Sequence, residues 1–416
     1  MEGQRASVDA IPRRFDSGDG LRALAALIIV VFHVAYLALA SKGYPVAVDG
    51  EATISQFRPV FGFLAPEFVS MRAAIYIFFA LSGYLLARPF LAAYLIGTPQ
   101  PSIARYFRNR ALRIIPAFWV VTTAYLIWEG MPAGGSAGGL VAVYGFAQNY
   151  YSNPAAHVLG QAWTLDIEVA FYVALPVVAG AAVWIDRRMH TSPRRRLAIV
   201  LAALLVAYVA SLAIKQSGAI LPHPGLNFTY NLADFLFAFI PGVALAAIEP
   251  FAAPRLHAAG GRTGRLWSRG LFAGCVVLLG VFVSLPATDY GLRRIFVTLA
   301  CGTLLATLLT LQWSTGRSSR ALDNRAMRWL GERSYGIYLI HFGLIAHVLS
   351  AVGNDHGVKV TFLLALAGVM AATLAAADVL WRLVERPALQ RRLPWRQAEF
   401  APAPAPEPSP AGAAVA

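Results

Sequence analysis

Long apolar runs alternate with short polar segments along this chain, and the apolar runs have the length needed to cross a bilayer. An α-helix rises about 1.5 Å per residue, so roughly 20 apolar residues span the hydrocarbon core. The runs that meet this condition cover residues 21–40, 72–94, 112–130, 166–185, 197–214, 231–249, 269–286, 293–313, 334–353 and 359–383. The pattern therefore predicts an all-α fold, a polytopic integral membrane bundle of about ten transmembrane helices.

Arginines are concentrated in alternate loops between these runs. The basic loops contain Arg105, Arg108 and Arg110; Arg187, Arg188, Arg194, Arg195 and Arg196; Arg255, Arg262 and Arg265; and Arg317, Arg320, Arg325 and Arg328. The loop 131–165, by contrast, contains neither lysine nor arginine. Because cytoplasmic loops carry an excess of basic residues, we expect both termini to be cytoplasmic.

Composition agrees with a membrane protein and argues against a nucleic-acid-binding protein. Hydrophobic residues make up 58% of the 416 residues and charged residues 13%, whereas a soluble domain is about 25% charged. The net charge of +14 comes from loop arginines and forms no basic stripe on a polar face. Cys275 and Cys301 lie in apolar runs, so we interpret them as small packing residues.

Three regions follow from the same pattern. Residues 1–18 are predicted to be a cytoplasmic N-terminal segment, and residues 19–393 the transmembrane domain. Residues 394–416 are rich in proline and alanine and cannot build a core, so a disordered cytoplasmic tail is expected there.

The first span contains two ionisable residues that are costly in a bilayer. Arg22 and His33 are eleven residues apart, about three helical turns, so they lie on one face and about 16 Å apart along the axis. A neutral histidine in an apolar site can accept a proton from a hydroxyl, or it can serve only to pack one helix against another. Asp19, just before the span, is predicted to be its N-cap.

Further candidate residues lie in the third, fourth and ninth spans. Arg110 and Arg113 share one helical face and could bind phosphate through two guanidinium groups, although inner loops are arginine-rich for topology alone. Glu168 lies within the fourth apolar run and needs a partner there. His341 lies about two turns into the ninth span, where packing and catalysis are equally good explanations.

Other chemistry is less well supported by the residues. Ser82 and Gly83 lie in the middle of a span without nucleophile-elbow spacing, so close helix packing is preferred to a covalent role for Ser82. His, Cys, Asp and Glu show no metal-ligand spacing, and no metal is expected.

Six stretches, taken together and in order, resemble the motifs of membrane-bound acyltransferase family 3. The family hallmark, an arginine followed by ten residues and a histidine, is matched by Arg22 and His33. The other matching stretches are 78–84, 110–113, 163–165 with Glu168, 334–341 and 385–387. Thr164 and Tyr84 replace the commoner serine and phenylalanine. The sequence ends soon after its last span, so we expect no fused esterase-like domain.

The resemblance implies an O-acyltransferase of the bacterial plasma (inner) membrane. The donor would be acyl-CoA, often acetyl-CoA, and the acceptor a hydroxyl of a sugar, glycolipid, cell-envelope glycan or macrolide. Arg22, Arg110 and Arg113 would bind the phosphates of the donor. His33 would take the proton of the acceptor hydroxyl, while Glu168 or His341 would orient His33 or the acceptor.

Two other classes of protein fit the same residues. A proton-coupled transporter would use buried arginine, histidine and glutamate as a transport pathway, and kinked helices suit it as well. A membrane scaffold or receptor would use these groups only to hold its helices together.

Overall fold

The structure, a computed structural model, describes residues 15–44, 61–62, 65, 71–130, 136–150, 158–189, 191–217, 230–286 and 289–392. The predicted tail 394–416 and residues 1–14 lie outside this part of the chain. The helices in it are α1 (Gly18–Ser41), α2 (Ile75–Ile96), α3 (Ile103–Glu129), α4 (Ala137–Tyr144), α5 (Trp163–Met189), α6 (Pro193–Ser217), α7 (Leu232–Ser284), α8 (Tyr290–Thr315), α9 (Arg325–Val352), α10 (Val358–Leu380) and α11 (Arg386–Gln390). Short 3₁₀ turns cover Met71–Ala74, Gln148–Tyr150 and Gly160–Ala162, and a π-helical turn covers Trp381–Glu385.

The predicted all-α membrane bundle is confirmed. The described residues contain nine helices that are long and apolar enough to cross a membrane, and no strand lies among the elements described there. One of the nine is α7, whose 53 residues contain two of the ten predicted spans.

The two halves of α7 are separated by Gly260, which has a left-handed φ of 81° and breaks the helix. The first half runs parallel to α8. Pro241 lies against Gly302, and two turns later Glu249 accepts a hydrogen bond from the indole of Trp313.

The second half of α7 runs antiparallel to α8. The Ser268 hydroxyl donates to the carbonyl of Thr307, and Cys275 lies farther along α7 but contacts the earlier carbonyl of Ala300. The two halves of α7 therefore run in opposite directions, and counting each half separately gives the ten membrane-crossing segments that the apolar pattern predicts.

Glycines allow the closest helix contacts in the bundle. A Cβ on Gly242 of α7 would lie 1.8 Å from the carbonyl oxygen of Ala80, and one on Gly83 of α2 would lie 2.3 Å from that of Phe239. Since neither position has room for a side chain, α2 and α7 pack backbone to backbone. The close packing predicted around Gly83 is confirmed.

The start of α1 is held against the start of α9 in the same way. A Cβ on Gly20 would lie 1.9 Å from the carbonyl oxygen of Leu322, and one on Gly331 would lie 2.2 Å from that of Asp19. Because Arg22 follows Gly20 by two residues on α1, this contact fixes where Arg22 enters the bundle.

The prediction that Asp19 is an N-cap is wrong. The helix α1 begins at Gly18, because the preceding Ser17 is already in the right-handed helical region, and no side chain caps it. The Ser17 hydroxyl instead accepts a hydrogen bond from the backbone N–H of Ser319. Asp19 lies inside the first turn, where its carboxylate pairs with Arg22 at 3.0 Å.

Apolar side chains on the outside of the bundle mark the surface that faces lipid. Val177 of α5 is 66% exposed and Leu205 of α6 is 63% exposed. Long helices with such faces would be insoluble in water and are suited to a bilayer.

Candidate active site

A cavity of about 760 Å³, including its open mouth, lies among five helices: α1, α2, α3, α5 and α9. Its polar lining residues are Arg22, Ser82, Arg110, Arg113, Thr164, Glu168, Tyr172, Ser334, Tyr335 and Tyr338. Apolar side chains complete the wall, including Ile75, Phe78, Phe79 and Leu165. One cavity therefore collects residues from five of the six stretches that carry the family resemblance.

Arginines gather at one end of this cavity, which we call the basic end and define by Arg22, Arg110, Arg113 and Arg392. The Nε atoms of Arg110 and Arg392 are buried and have no hydrogen-bond partner within the described residues. Burial, together with the positive charges of Arg113, Arg110 and Arg22, lowers the pKa of Arg392, which lies just beyond the last helix. Four guanidinium groups that repel one another, two of them with an unused buried Nε donor, are chemically suited to an anionic ligand.

Neighbouring aromatic and acidic groups hold these arginines in place. The Arg110 guanidinium lies 5.9 Å from the centre of the Tyr172 ring, and that of Arg113 lies 5.8 Å from the Tyr335 ring. Arg113 also lies 3.6 Å from the buried carboxylate of Glu385. These contacts direct both side chains into the cavity.

Glu168 lies on the cavity wall. One of its carboxylate oxygens accepts hydrogen bonds from Ser82 at 2.7 Å and from Tyr172 at 2.6 Å. The sequence suggests that Glu168 could orient His33. The hydrogen bonds of its carboxylate instead go to Ser82 on α2 and to Tyr172 on its own helix.

His33 and His341 form a pair deep in the bundle. The Nδ1 atom of His33 lies 3.0 Å from the Nε2 atom of His341, and the ring centres are 5.1 Å apart. His341 has no exposed surface, while His33 is half-buried. The sequence suggests Glu168 or His341 as the partner of His33, and in the structure His341 is the one in contact with it.

The contacts of the pair determine where its protons lie. The Nδ1 atom of His341 faces the carbonyl oxygen of Ile337 at 3.1 Å, and since a carbonyl can only accept, this Nδ1 carries a proton. A neutral His341 then has an unprotonated Nε2, which accepts the Nδ1 proton of His33. The Nε2 atom of His33 is left as a proton acceptor.

The histidine pair adjoins the cavity but does not line it. Tyr338 lines the cavity and also contacts His341, with ring centres 5.9 Å apart. Its ring lies at the boundary between the arginine-lined space and the two histidines.

Sequence reasoning singled out neither Tyr338 nor Arg392. A signal for Tyr338 exists: Ser334, Tyr338 and His341 are spaced by four and three residues, which places them on one face of α9. Glu385 pairs with Arg113, 272 positions earlier in the chain. The π-helical turn at Trp381–Glu385 carries Glu385 into the bundle, and its position could not be inferred from residue spacing.

Residues 15–382 match the family described as "Acyltransferase domain". The chain belongs to this family. The match includes His33, His341, Glu168 and three of the four arginines of the basic end, and it leaves out Glu385 and Arg392.

The relatives of this chain described below share about a quarter of its residues. YrhL of Bacillus subtilis is 24% identical over 89% of this chain and 54% of its own length. The acyltransferase MdmB of Streptomyces mycarofaciens is 25% identical over 77% of this chain and 82% of its own. The peptidoglycan O-acetyltransferase OatA of Listeria monocytogenes is 24% identical over 79% of this chain and 49% of its own.

The chain thus spans about half the length of YrhL and OatA. No solved structure matches it. Within the described residues, no group of three or more His, Cys, Asp or Glu side chains could hold a metal ion.

Proposed function

We propose that this membrane protein transfers an acyl group, in the first place acetyl, from acyl-CoA to a hydroxyl of a carbohydrate acceptor. The observation that carries the proposal is the order of groups along one path. Arginines, two of them with an unused Nε donor, gather at the cavity, and a histidine pair adjoins it through Tyr338, a lining residue whose ring contacts His341.

The basic end suits the phosphates of coenzyme A. Guanidinium groups bind phosphate through two parallel N–H bonds, and a phosphate would relieve the repulsion among Arg22, Arg110, Arg113 and Arg392. The thioester arm of the donor would then extend along the apolar wall toward Tyr338. Arg22 and His33 are about 16 Å apart along α1, and the extended arm covers this depth.

The His33–His341 pair would supply the proton transfers. The acceptor hydroxyl oxygen attacks the thioester carbonyl carbon while Nε2 of His33 takes the hydroxyl proton. The bond between carbon and sulfur then breaks, and His33 returns the proton to the leaving thiolate, so the products are an ester and free coenzyme A. His341, fixed by Ile337, would stabilise the imidazolium through the bond to His33 Nδ1.

The name of OatA suggests the class of acceptor, since that relative is a peptidoglycan O-acetyltransferase. We therefore propose a hydroxyl of a cell-envelope glycan or glycolipid as the acceptor, with a macrolide as the alternative small acceptor. The basic end would face the cytoplasm, where acyl-CoA is made, and both termini would be cytoplasmic in the bacterial plasma membrane.

The test uses the full chain purified into lipid nanodiscs, with acetyl-CoA as donor and muramic-acid-containing oligosaccharides as acceptor. Release of free coenzyme A and gain of acetyl on the sugar are measured together. The wild type should show both, and R110A/R113A should lose both at low donor concentration. R317A/R320A removes two exposed arginines outside the cavity and is the matched control, which should behave as the wild type.

A transporter would give a different result in the same preparation. If acetyl-CoA stays intact with every acceptor tried, including a macrolide, while vesicles containing the protein take up a solute, the transferase proposal is wrong.

A further inference from the structure

The ring of Tyr338 both lines the arginine-lined cavity and contacts His341. Tyr338 is 8% exposed, contacts His341 on α9, and packs against Phe78 with ring centres 6.2 Å apart. Both Tyr338 and Phe78 line the cavity. An acyl group that moves from the basic end toward His33 along the side of the cavity lined by Tyr338 would meet these two rings.

Two hydrogen bonds hold the Tyr338 ring. Its hydroxyl lies 2.6 Å from the carbonyl oxygen of Gln161 and 2.7 Å from the hydroxyl of Thr164. Because a carbonyl only accepts, the Tyr338 proton goes to Gln161, and Thr164 must donate to Tyr338. The hydroxyl is therefore fully engaged and has no proton left to donate to a substrate.

The groups that hold Tyr338 are themselves fixed. Thr164 is 4% and Gln161 is 3% exposed, and the amide of Gln161 donates to the carbonyl of Leu339 at 2.6 Å. The start of α5 and the middle of α9 are thus tied together on both sides of the ring. A buried ring with all its polar bonds satisfied does not yield easily to a larger ligand.

We propose that Tyr338, positioned by Thr164 and Gln161 and backed by Phe78, determines which acyl groups reach His33 and restricts the enzyme to short chains such as acetyl. This inference rests on the proposed function and adds the chain length of the donor. It assigns Tyr338 a role in specificity and none in proton transfer.

The size of the effect follows from the energetics of apolar pockets. Each methylene that a closed pocket excludes changes kcat/KM by about 10-fold or more. We expect the wild type to prefer acetyl-CoA over hexanoyl-CoA by at least about 100-fold. Replacing Tyr338 by alanine removes the ring and should reduce that preference to less than about 10-fold.

The experiment compares kcat/KM for acetyl-CoA, butyryl-CoA and hexanoyl-CoA in nanodiscs with one acceptor. The variants are Y338A, F78A and Y338F, and the last keeps the ring while removing the hydroxyl. Tyr208 offers a matched control because its hydroxyl also bonds to a threonine, Thr298, at 2.8 Å, away from the cavity. Y208A should keep the full preference for acetyl, whereas Y338F should keep only part of it, because the ring stays but loses the two hydrogen bonds that position it.

The outcomes separate this inference from the proposed function. If Y338A or F78A shifts the acyl-chain preference toward longer chains, the inference is supported. F78A provides this test even if Y338A does not fold. If every folded variant keeps the wild-type preference for acetyl, the inference is wrong. In that case, acetyl transfer by the wild type would still support the proposed function. Absence of transfer by the wild type from all three donors would overturn both.

Discussion

The Arg113 guanidinium lies 3.6 Å from the carboxylate of Glu385, and this ion pair joins α3 to the π-helical turn after α10. The Glu385 side chain is 1% exposed and that of Arg113 is 20% exposed. The carboxylate is therefore held inside the protein while the arginine reaches the cavity. An anionic ligand at the basic end would share Arg113 with Glu385.

Replacing Arg113 by alanine should weaken donor binding more than it slows the chemical step. Hydrogen bonds to charged groups contribute about 1.5–3 kcal/mol, so the KM for acetyl-CoA should rise about 10-fold to 100-fold with a smaller change in kcat. Steady-state kinetics over a range of donor concentrations measures this. R320A, a change at an exposed arginine, should leave the KM unchanged; an unchanged KM in R113A would exclude Arg113 from the phosphate site.

Replacing His341 by phenylalanine should reduce kcat without changing the KM for the donor. His33 would lose the acceptor that keeps its proton on Nδ1, and the loss of one hydrogen bond in the transition state lowers kcat by about 10-fold. His347, whose Nε2 lies 2.5 Å from Glu129 on the surface of the bundle, provides the control variant H347F. Equal kinetics in H341F and the wild type would mean that the histidine contact serves only packing.

Adding a methyl group at Gly242 should destabilise the bundle. A Cβ there would lie 1.8 Å from the carbonyl oxygen of Ala80, so α2 and α7 must separate, at a cost of about 1–3 kcal/mol or more. Thermal unfolding in detergent is the measurement, and G242A should melt below the wild type. Gly180 of α5 has open space around it, so G180A should be neutral or slightly stabilising; equal melting of both variants would contradict the close contact.

Removing the buried carboxylate of Glu249 should be strongly destabilising. Glu249 accepts hydrogen bonds from Tyr84, Arg88 and Trp313, at 2.8, 2.6 and 3.1 Å. Breaking a buried ion pair from one side costs about 3–5 kcal/mol, because the other charge is left without a partner. We expect E249L to unfold far more easily than the double variant R88M/E249L in a denaturation experiment, and the reverse order would refute this account of the network.

Much of the fold could be predicted from the sequence because bilayer crossing imposes a length and an apolar composition on each helix. The ten runs agree with the structure once the break at Gly260 is recognised. The apolar pattern separates these two runs, but it does not show that the helix continues almost to Gly260 and resumes directly after it, so that one backbone position makes the break. The position of Asp19 was missed for a similar reason, as the conformation of Ser17 decided where α1 begins.

The candidate site was predictable to a lesser extent. Charged residues in apolar runs identified Arg113, Glu168 and His341 individually, because isolated charges are costly in lipid. Their mutual contacts depend on which helices are neighbours, and spacing within one helix carries no such information. The pairing of Arg113 with Glu385 and the position of Tyr338 therefore required the three-dimensional structure.

The central claim is that His33 is the proton acceptor in acyl transfer, and H33Q tests it most directly. Glutamine keeps a donor for His341 but offers no basic nitrogen. Acetyl transfer to the sugar acceptor and acetyl-CoA binding would be measured on the same nanodisc preparation, with H347Q as control. We predict that kcat falls by about 100-fold to 10,000-fold while the donor Kd stays within about twofold. A kcat within a few-fold of the wild type in a folded H33Q variant would contradict the account.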